Sequence, residues 1–323
     1  MDNLVNININ FDSLFFPLTI DRRAARDPSF FTVADRFLNL ANKYNFKYTI
    51  FIIGKDLENA EVAARVRSWS EAGHEIGNHS LTHNPNLGNL PRAEMEYEVV
   101  KSHELIAKCT GREPRGFISP SWSTSGDLVD ILIKNNYLYD TSIFPSYFQY
   151  LVLLKLLLMS GNRNKNFQVS FMQRQDKWAF LFAPRKPYFI RPESLIKKQR
   201  DGLLVIPLPV VTPLRLPCWH TMYFVFGKKI TNWLIKCALN ECEDLYYVFH
   251  PRDLIDYERD LAPEFKESYK NELTVFESLK VPIEDKLSFA SSALELISRS
   301  GRKFVTLGEL AGKIRNSRLS SPR

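Results

Sequence analysis

Cysteine is scarce in this chain and badly spaced for a covalent framework. The four that occur, Cys109, Cys218, Cys237 and Cys242, include no CxxC pair and lack the two-plus-two spacing of a zinc ribbon. Scattered reduced thiols are therefore expected rather than disulfides. Long apolar runs are missing too. The most apolar stretch, Tyr150 to Met159, is interrupted by Lys155 and falls short of the roughly 18 residues that a membrane span needs. The amino terminus does not combine a basic start, an apolar stretch and a small-residue cleavage site, because Met1 to Asn10 alternates asparagine with aliphatic residues. A cytoplasmic protein is expected. No zinc-finger spacing, helix-turn-helix signal or RNA-binding aromatic motif occurs, which argues against nucleic acid as a partner despite the positive charge.

What is present is the make-up of a globular protein. The 323 residues are 45% hydrophobic and 24% charged, with a net charge of +7, enough for one large α/β domain or two smaller ones. The charge is unevenly placed. Between Lys155 and Arg200 there are eleven Lys and Arg against Asp176 and Glu193, and Lys313, Arg315, Arg318 and Arg323 follow near the end. A basic insert beside a mildly acidic body points to an anionic partner.

Periodicity then sets the architecture. Val5, Ile7, Ile9 and Phe11 alternate with Asn6, Asn8 and Asn10, the period of a strand with one apolar face. Helical spacing follows in Phe30, Val33, Phe37, Leu40, Ala41 and Tyr44, and Tyr48 to Ile53 reads as a buried strand. Helices over Val62 to Ala72, Pro91 to Cys109, Asp127 to Asn135 and near Lys228 to Leu239 alternate with short strands at Glu75, Gly116, Tyr139, Leu203 and Leu245. Thr306 and Glu309 have the spacing of a capping box for a last helix. Repeated βα units argue for a parallel sheet, whose ligands gather at the carboxyl ends of the strands. Asp12, His79, Ser119, Asp140 and His250 all fall at such ends.

His79 and His83 are the sharpest chemical signal. Four residues apart, they fit one side of a helical turn, where two imidazoles can share a divalent ion. Asp12 from the end of the first strand would complete two imidazoles and one carboxylate, an open set typical of catalytic zinc.

Gly73-His-Glu-Ile-Gly-Asn-His-Ser-Leu-Thr-His83 resembles the GHEIGNHxxxH motif of the polysaccharide deacetylase family, the NodB-homology or carbohydrate esterase family 4-like group. Gly116-Phe-Ile-Ser-Pro-Ser-Trp122 is similar to that family's (F/Y)RSPSW segment, Tyr139 to Pro145 to its YDSSxFP segment, and Phe249-His250-Pro251 to the late strand that carries its catalytic histidine. The resemblance implies a distorted (β/α)7 barrel forming a single domain over 1–323, with an insert at about 147–200 and a basic tail at about 313–323. It implies removal of an acetyl or related acyl group from an amino sugar in a polysaccharide, a glycan precursor or a lipid-linked sugar. Asp12, His79 and His83 would hold a divalent metal, zinc by preference. Asp12 and His250 would be catalytic, His250 as the proton donor, because an imidazole titrates near neutral pH. Phe117, Ser119, Pro120, Trp122 and Asp140 would line the substrate. A glycan-binding protein on the same fold, its reaction impaired, is the alternative.

The departures are as informative. The family's first motif supplies two acids, one as base and one as ligand, whereas this chain has Asp12 between Asn10 and Ser13. Asp12 is preferred as ligand, since asparagine cannot deprotonate water. Ile118 stands where the family has the arginine that orients its base. Asp21 is a spare carboxylate without a place. The Tyr150–Met159 stretch reads either as a buried helix or, with the basic run after it, as peripheral attachment to an anionic membrane surface. Arg185, Lys186 and Arg191 are alternative sites for substrate phosphates.

Overall fold

The computed structural model describes residues 3–14, 27–148, 150, 174, 176–268, 270–273 and 277–319. The strands are β1 (Leu4–Phe11), β2 (Tyr48–Ile52), β3 (Glu75–Asn78), β4 (Gly116–Phe117), β5 (Tyr139–Asp140), β6 (Tyr188–Arg191), β7 (Ser194–Gln199), β8 (Leu203–Val205), β9 (Val210–Val211), β10 (Leu216–Pro217), β11 (Leu245–Phe249) and β12 (Lys303–Phe304). The main helices are α1 (Thr32–Tyr44), α2 (Ala60–Glu71), α3 (Arg92–Thr110), α4 (Gly126–Lys134), α5 (Met222–Glu241), α6 (Ile283–Ser298) and α7 (Leu307–Leu319). Pro91 precedes α3 and Gly111 ends it at φ 69, the left-handed cap that glycine adopts without strain. The capping box of α7 forms as its spacing predicts, with Glu309 N donating to Thr306 Oγ1 (3.3 Å) and Thr306 N to Glu309 Oε2 (2.7 Å).

Seven parallel strands run in the order β11-β1-β2-β3-β4-β5-β8, the short β12 pairs parallel with the start of β1 off this path, and the antiparallel β6 and β7 extend the ladder beyond β8. Seven is the number the resemblance implied. Among the described residues the ladder does not link β8 back to β11. The gap is spanned by single backbone bonds instead: Leu208 N to Ile143 O (2.9 Å), Cys218 N to Pro209 O (2.9 Å) and His220 N to Val248 O (3.0 Å). This α/β fold is consistent with a distorted barrel that is not closed by hydrogen bonds.

The alternation in β1 acts differently from a half-solvated strand. Val5, Ile7, Ile9 and Phe11 pack with buried residues of α1, α5 and α6. Asn6, Asn8 and Asn10 are nevertheless also buried, on the inner face that their register partners share. Asn6 Nδ2 donates to Thr49 Oγ1 (3.1 Å) and Val305 O (2.9 Å). Neither polar atom of the Asn8 side chain has a partner, a cost of about 1–3 kcal/mol for each such group.

Much of the basic insert and its apolar lead lies outside the described residues: 151–173, including Arg163 and Lys165, and so do Asp21 and 320–323. Among the described residues no helix is long and apolar enough to cross a membrane. The described cations of the insert are partly committed elsewhere. Arg174 is buried against Asp176 (2.7 Å), Arg185 pairs with Glu241 (3.1 Å) and Arg191 with Asp201 (2.6 Å). Arg185 and Lys186 flank the amino end of β11, beside Leu245, whereas His250 follows its carboxyl end. Two of the three residues expected to bind substrate phosphates, Arg185 and Arg191, thus have surface carboxylate partners.

Candidate functional site

The ends of β1, β3 and β11 bring Asp12, His79, His83 and His250 together. Asp12 N donates to Asn10 O (2.8 Å), turning the chain out of β1. Asp12 Oδ1 lies 3.0 Å from His79 Nε2 and 3.3 Å from His83 Nε2, and the three ligand atoms all fall within 4.8 Å of one another. Among the described residues this is the cluster whose donors fit a metal ion. The Asp12 and His83 side chains are 12% and 10% exposed, so the cluster opens to solvent on a narrow front.

The two histidines do not share a helical turn, which corrects the sequence expectation. Residues 79–83 form a loop in which Ser80 (φ 63) and His83 (φ 58) are left-handed. Side chains replace the helical ladder. Asn78 Oδ1 accepts from Ser80 N (2.9 Å), Ser80 Oγ from His83 N (3.1 Å), and Glu98 on α3 from Leu81 N (3.0 Å), Thr82 N (2.9 Å) and Thr82 Oγ1 (2.6 Å). The loop still sets the imidazole centroids 4.9 Å apart at 78°. Sequence reading missed Glu98. Its signal was a carboxylate on the same helical stripe as Met95, Val99 and Ser102, all buried.

The protonation pattern fits a cation. His79 Nδ1 is 2.7 Å from Ile118 O, a bond that requires the Nδ1 proton and leaves Nε2 as a lone pair in the neutral ring. Burial lowers the His79 pKa, against the opposing pull of Asp12. Burial raises that of Asp12, but the neighbouring His83, His79 and His250 imidazoles hold it well below the usual carboxylate range. A neutral imidazole lone pair thus faces an ionised carboxylate, two acceptors that a cation between them satisfies. A histidine oriented by a backbone carbonyl through its other nitrogen is the usual support for a metal ligand.

His250 Nε2 is 4.0 Å from Asp12 Oδ2. Burial, and then the charge of Arg252, push its pKa down to about 3. This corrects the expectation of an imidazole resting as the acid: it rests neutral, and a proton it donates must first reach it. Arg252, also unforeseen, places Nη1 3.7 Å from Asp12 Oδ2. The turn carrying it is fixed from below, where buried Lys286 donates to Ile255 O (2.7 Å) and Arg252 O (3.3 Å), and His250 N donates to Asp253 Oδ2 (2.8 Å).

The remaining expected residues divide. Trp122 packs on Trp219 (4.9 Å), whose ring is 5.6 Å from that of His250, so Trp122 belongs to the wall of the site. Pro120 opens the short turn carrying it. Phe117 is a core residue stacked edge-on to Tyr137 (5.8 Å). Ser119 is structural: its Oγ donates to Ser123 O (2.5 Å), and its N to Ser142 Oγ (2.7 Å). Asp140 Oδ1 accepts from Ser142 Oγ (2.5 Å) and N (3.1 Å), and burial pushes its pKa up to about 7. Substrate contact by Phe117 and Ser119 is therefore corrected to packing and loop support. Asn10 and Ile118 are both buried, and Asn10 Oδ1 has no partner.

Residues 17–139 match the family model described as polysaccharide deacetylase. A peptidoglycan deacetylase of Helicobacter pylori is 32% identical over 113 residues, covering 35% of this chain and 38% of that protein. A peptidoglycan-N-acetylglucosamine deacetylase of Bacillus cereus is 31% identical over 100 residues, covering 31% and 34%. The match thus spans about a third of each of these relatives. A Mycobacterium smegmatis crystal structure, provisionally described as a polysaccharide deacetylase, aligns over 98% of this chain and 93% of its own at 14% identity and a TM-score of 0.56, a likeness of fold. With the histidine loop and the parallel strands in agreement, residues 17–139 are similar to the polysaccharide deacetylase family, and the fold is shared with a structure of that description.

Proposed function

We propose that this protein is a metal-dependent hydrolase that removes an N-acyl group, acetyl by preference, from an amino sugar in a polysaccharide or glycan precursor. Zinc is the proposed ion, because two imidazoles and one carboxylate with open positions are its usual catalytic set. The observation that carries the reading is the lone pair of His79 Nε2 facing the Asp12 carboxylate at 3.0 Å, with His83 beside it. Such an ion supplies Lewis-acid polarisation of an amide carbonyl and lowers the pKa of water. The protein's own groups do the rest. Asp12, His79 and His83 form the cradle, Arg252 adds positive charge at the second Asp12 oxygen, and the Trp122 and Trp219 rings limit water beside His250. His250, neutral at rest, accepts a proton as the amide is attacked and returns it to the leaving amine, which is general acid-base work within one residue. This assignment suits a site whose usual second acid is Asn10.

Asn10 and Ile118 favour a second reading, a glycan-binding protein that keeps the pocket without the reaction. One experiment separates the two. The purified protein is expected to hold close to one zinc per chain and to release acetate from N-acetylglucosamine oligomers, and His79→Ala is expected to lose both. Zinc retained without acetate release from any N-acetylated sugar, together with sugar binding, would establish the binding protein instead.

A further inference from the structure

The outer face of α5 is apolar where an outer-layer helix is normally polar. Gly227 (φ 72, ψ 176) interrupts the helix, and from Lys228 onward Thr231, Leu234, Ile235 and Ala238 are its buried residues. Ile230 and Trp233 are instead 49% and 54% exposed, and their spacing of three makes them neighbours on the helix surface. Lys229 stands four residues before Trp233 and Lys236 three after it, so the indole has an ammonium group on either side along the helix. Among the described residues neither lysine has a carboxylate partner. Glu241, the one acid of α5, is taken up by Arg185 (3.1 Å) and by Thr212 Oγ1 (2.7 Å). Thr212 opens the turn between β9 and β10, which carries Leu214, another apolar side chain that is 64% exposed.

Lys236 also lines a groove of about 750 Å³, whose other walls include Asn3, Asn240, Arg299, Ser300 and Arg302. Arg299 pairs with Glu295 (2.5 Å). Arg302 is held by the carbonyls of Glu243 (2.6 Å), Leu239 (2.5 Å) and Cys242 (2.7 Å), which fix the guanidinium without neutralising it. Lys236 and Arg302 thus bring positive charge with no bonded carboxylate, beside amide and hydroxyl donors, a set that suits a phosphate group. Asn3 precedes β1 and Asp12 follows it, so the groove and the Asp12-His79-His83 cluster lie at opposite ends of an eight-residue strand, about 25 Å apart.

We infer that the exposed face of α5, with the groove beside it, is a docking surface for an anionic lipid bilayer: Trp233 and Ile230 enter the headgroup boundary, and the groove takes a lipid phosphate. Apolar side chains flanked by lysines are how a helix lying in the plane of an anionic membrane binds, the ammonium groups reaching out to the headgroups. A second copy of the chain is the poorer occupant, since a two-fold contact across this face would set Lys229 and Lys236 against their own equivalents. Docked in this way, the protein keeps the cluster after β1 clear of the bilayer. The inference stands whether or not that cluster turns over a sugar.

The full chain is sedimented with phosphatidylcholine vesicles, with and without phosphatidylserine. Binding is expected to the vesicles that contain phosphatidylserine, and it should fall as salt is raised. It should be about tenfold weaker in Trp233→Ala, and at least tenfold weaker in the double variant Lys229→Glu with Lys236→Glu. These side chains are exposed, so both variants should keep the wild-type thermal transition. The double variant Lys197→Glu with Lys198→Glu makes the same charge change on β7 and should bind as the wild type does. An equal loss there would reduce the effect to net charge and overturn the surface. Absence of binding to either vesicle, or binding unaltered in Trp233→Ala, overturns it too, as does a dimer in sedimentation velocity that Trp233→Ala converts to monomer.

Discussion

At the residue scale, two buried positions decide how far this site can carry the proposed reaction. Asn10 is buried with its Oδ1 unpartnered and Ile118 is buried beside the cluster's loop; under the family resemblance they stand where a base and an arginine are expected. A buried guanidinium without a carboxylate costs several kcal/mol, whereas a buried pair offsets much of that. Ile118→Arg alone is therefore expected to destabilise the fold by about 3 kcal/mol or more. Asn10→Asp with Ile118→Arg should be less destabilised than the two single changes predict together, and should release acetate faster than the wild type. Denaturant midpoints for the three variants give the coupling, and strictly additive losses would show that the two positions do not communicate. Asp140 offers a test by pH. Burial pushes its carboxyl from 3.8 up to about 7, so between those values the folded state holds a proton that the unfolded chain has released. The stability this supplies is full below the lower value and is lost as pH rises through about 7. Asp140→Asn, which cannot ionise, should gain on the wild type between about pH 4 and about pH 7, by about 1.4 kcal/mol per pH unit at most, with the gap constant above that. A gap between the two denaturation midpoints that is constant across that window as well would refute the assignment.

At the scale of elements, the histidine loop is held by α3 rather than by its own backbone ladder. Glu98 receives three hydrogen bonds from Leu81 and Thr82, and removing it leaves two amide hydrogens without their acceptor next to the His79 and His83 rings. Glu98→Ala is expected to weaken zinc affinity about 10- to 100-fold, the range seen when outer support of ligands is lost, while the circular dichroism spectrum stays that of the wild type. Unchanged affinity in a zinc titration would mean that Asn78 and Ser80 suffice to shape the loop. The same element shows where the sequence was legible. Its motif and flanking glycines pointed to the Asp12-His79-His83 cluster, because donor types and spacing are written in the chain. The left-handed Ser80 and His83 were not legible, because their conformation depends on a glutamate from the next helix. Arg252 escaped for a similar reason: its proximity to Asp12 arises from the adjacency of β11 and β1, elements more than two hundred residues apart. The strands themselves were readable from their periods, yet the burial of Asn6, Asn8 and Asn10 was not, since alternation does not say whether the polar face meets water or an inner cavity.

At the scale of the whole molecule, the Asp12-His79-His83 cluster links distant parts of one sheet. Asp12 ends β1 and the histidines follow β3, with β2 between them, while His250 and Arg252 follow β11 on the other side. An ion held there bonds groups that the unfolded chain leaves far apart, so it binds the folded state alone and its binding free energy adds to stability. Free metal at 100 times its dissociation constant contributes about 2.7 kcal/mol. Without the ion, the same groups leave an ionised Asp12 carboxylate among three imidazoles, two of which burial keeps neutral. Removal of metal by a chelator is therefore expected to lower the unfolding temperature by a few degrees, and excess zinc to restore it. His83→Ala should abolish the dependence, because it removes a ligand from a side chain that is partly exposed and leaves the core intact. The measurement is a thermal scan of wild type and His83→Ala with chelator and with zinc. Identical transitions for the wild type under both conditions would remove the metal from the account of this fold, and with it the hydrolase proposed here.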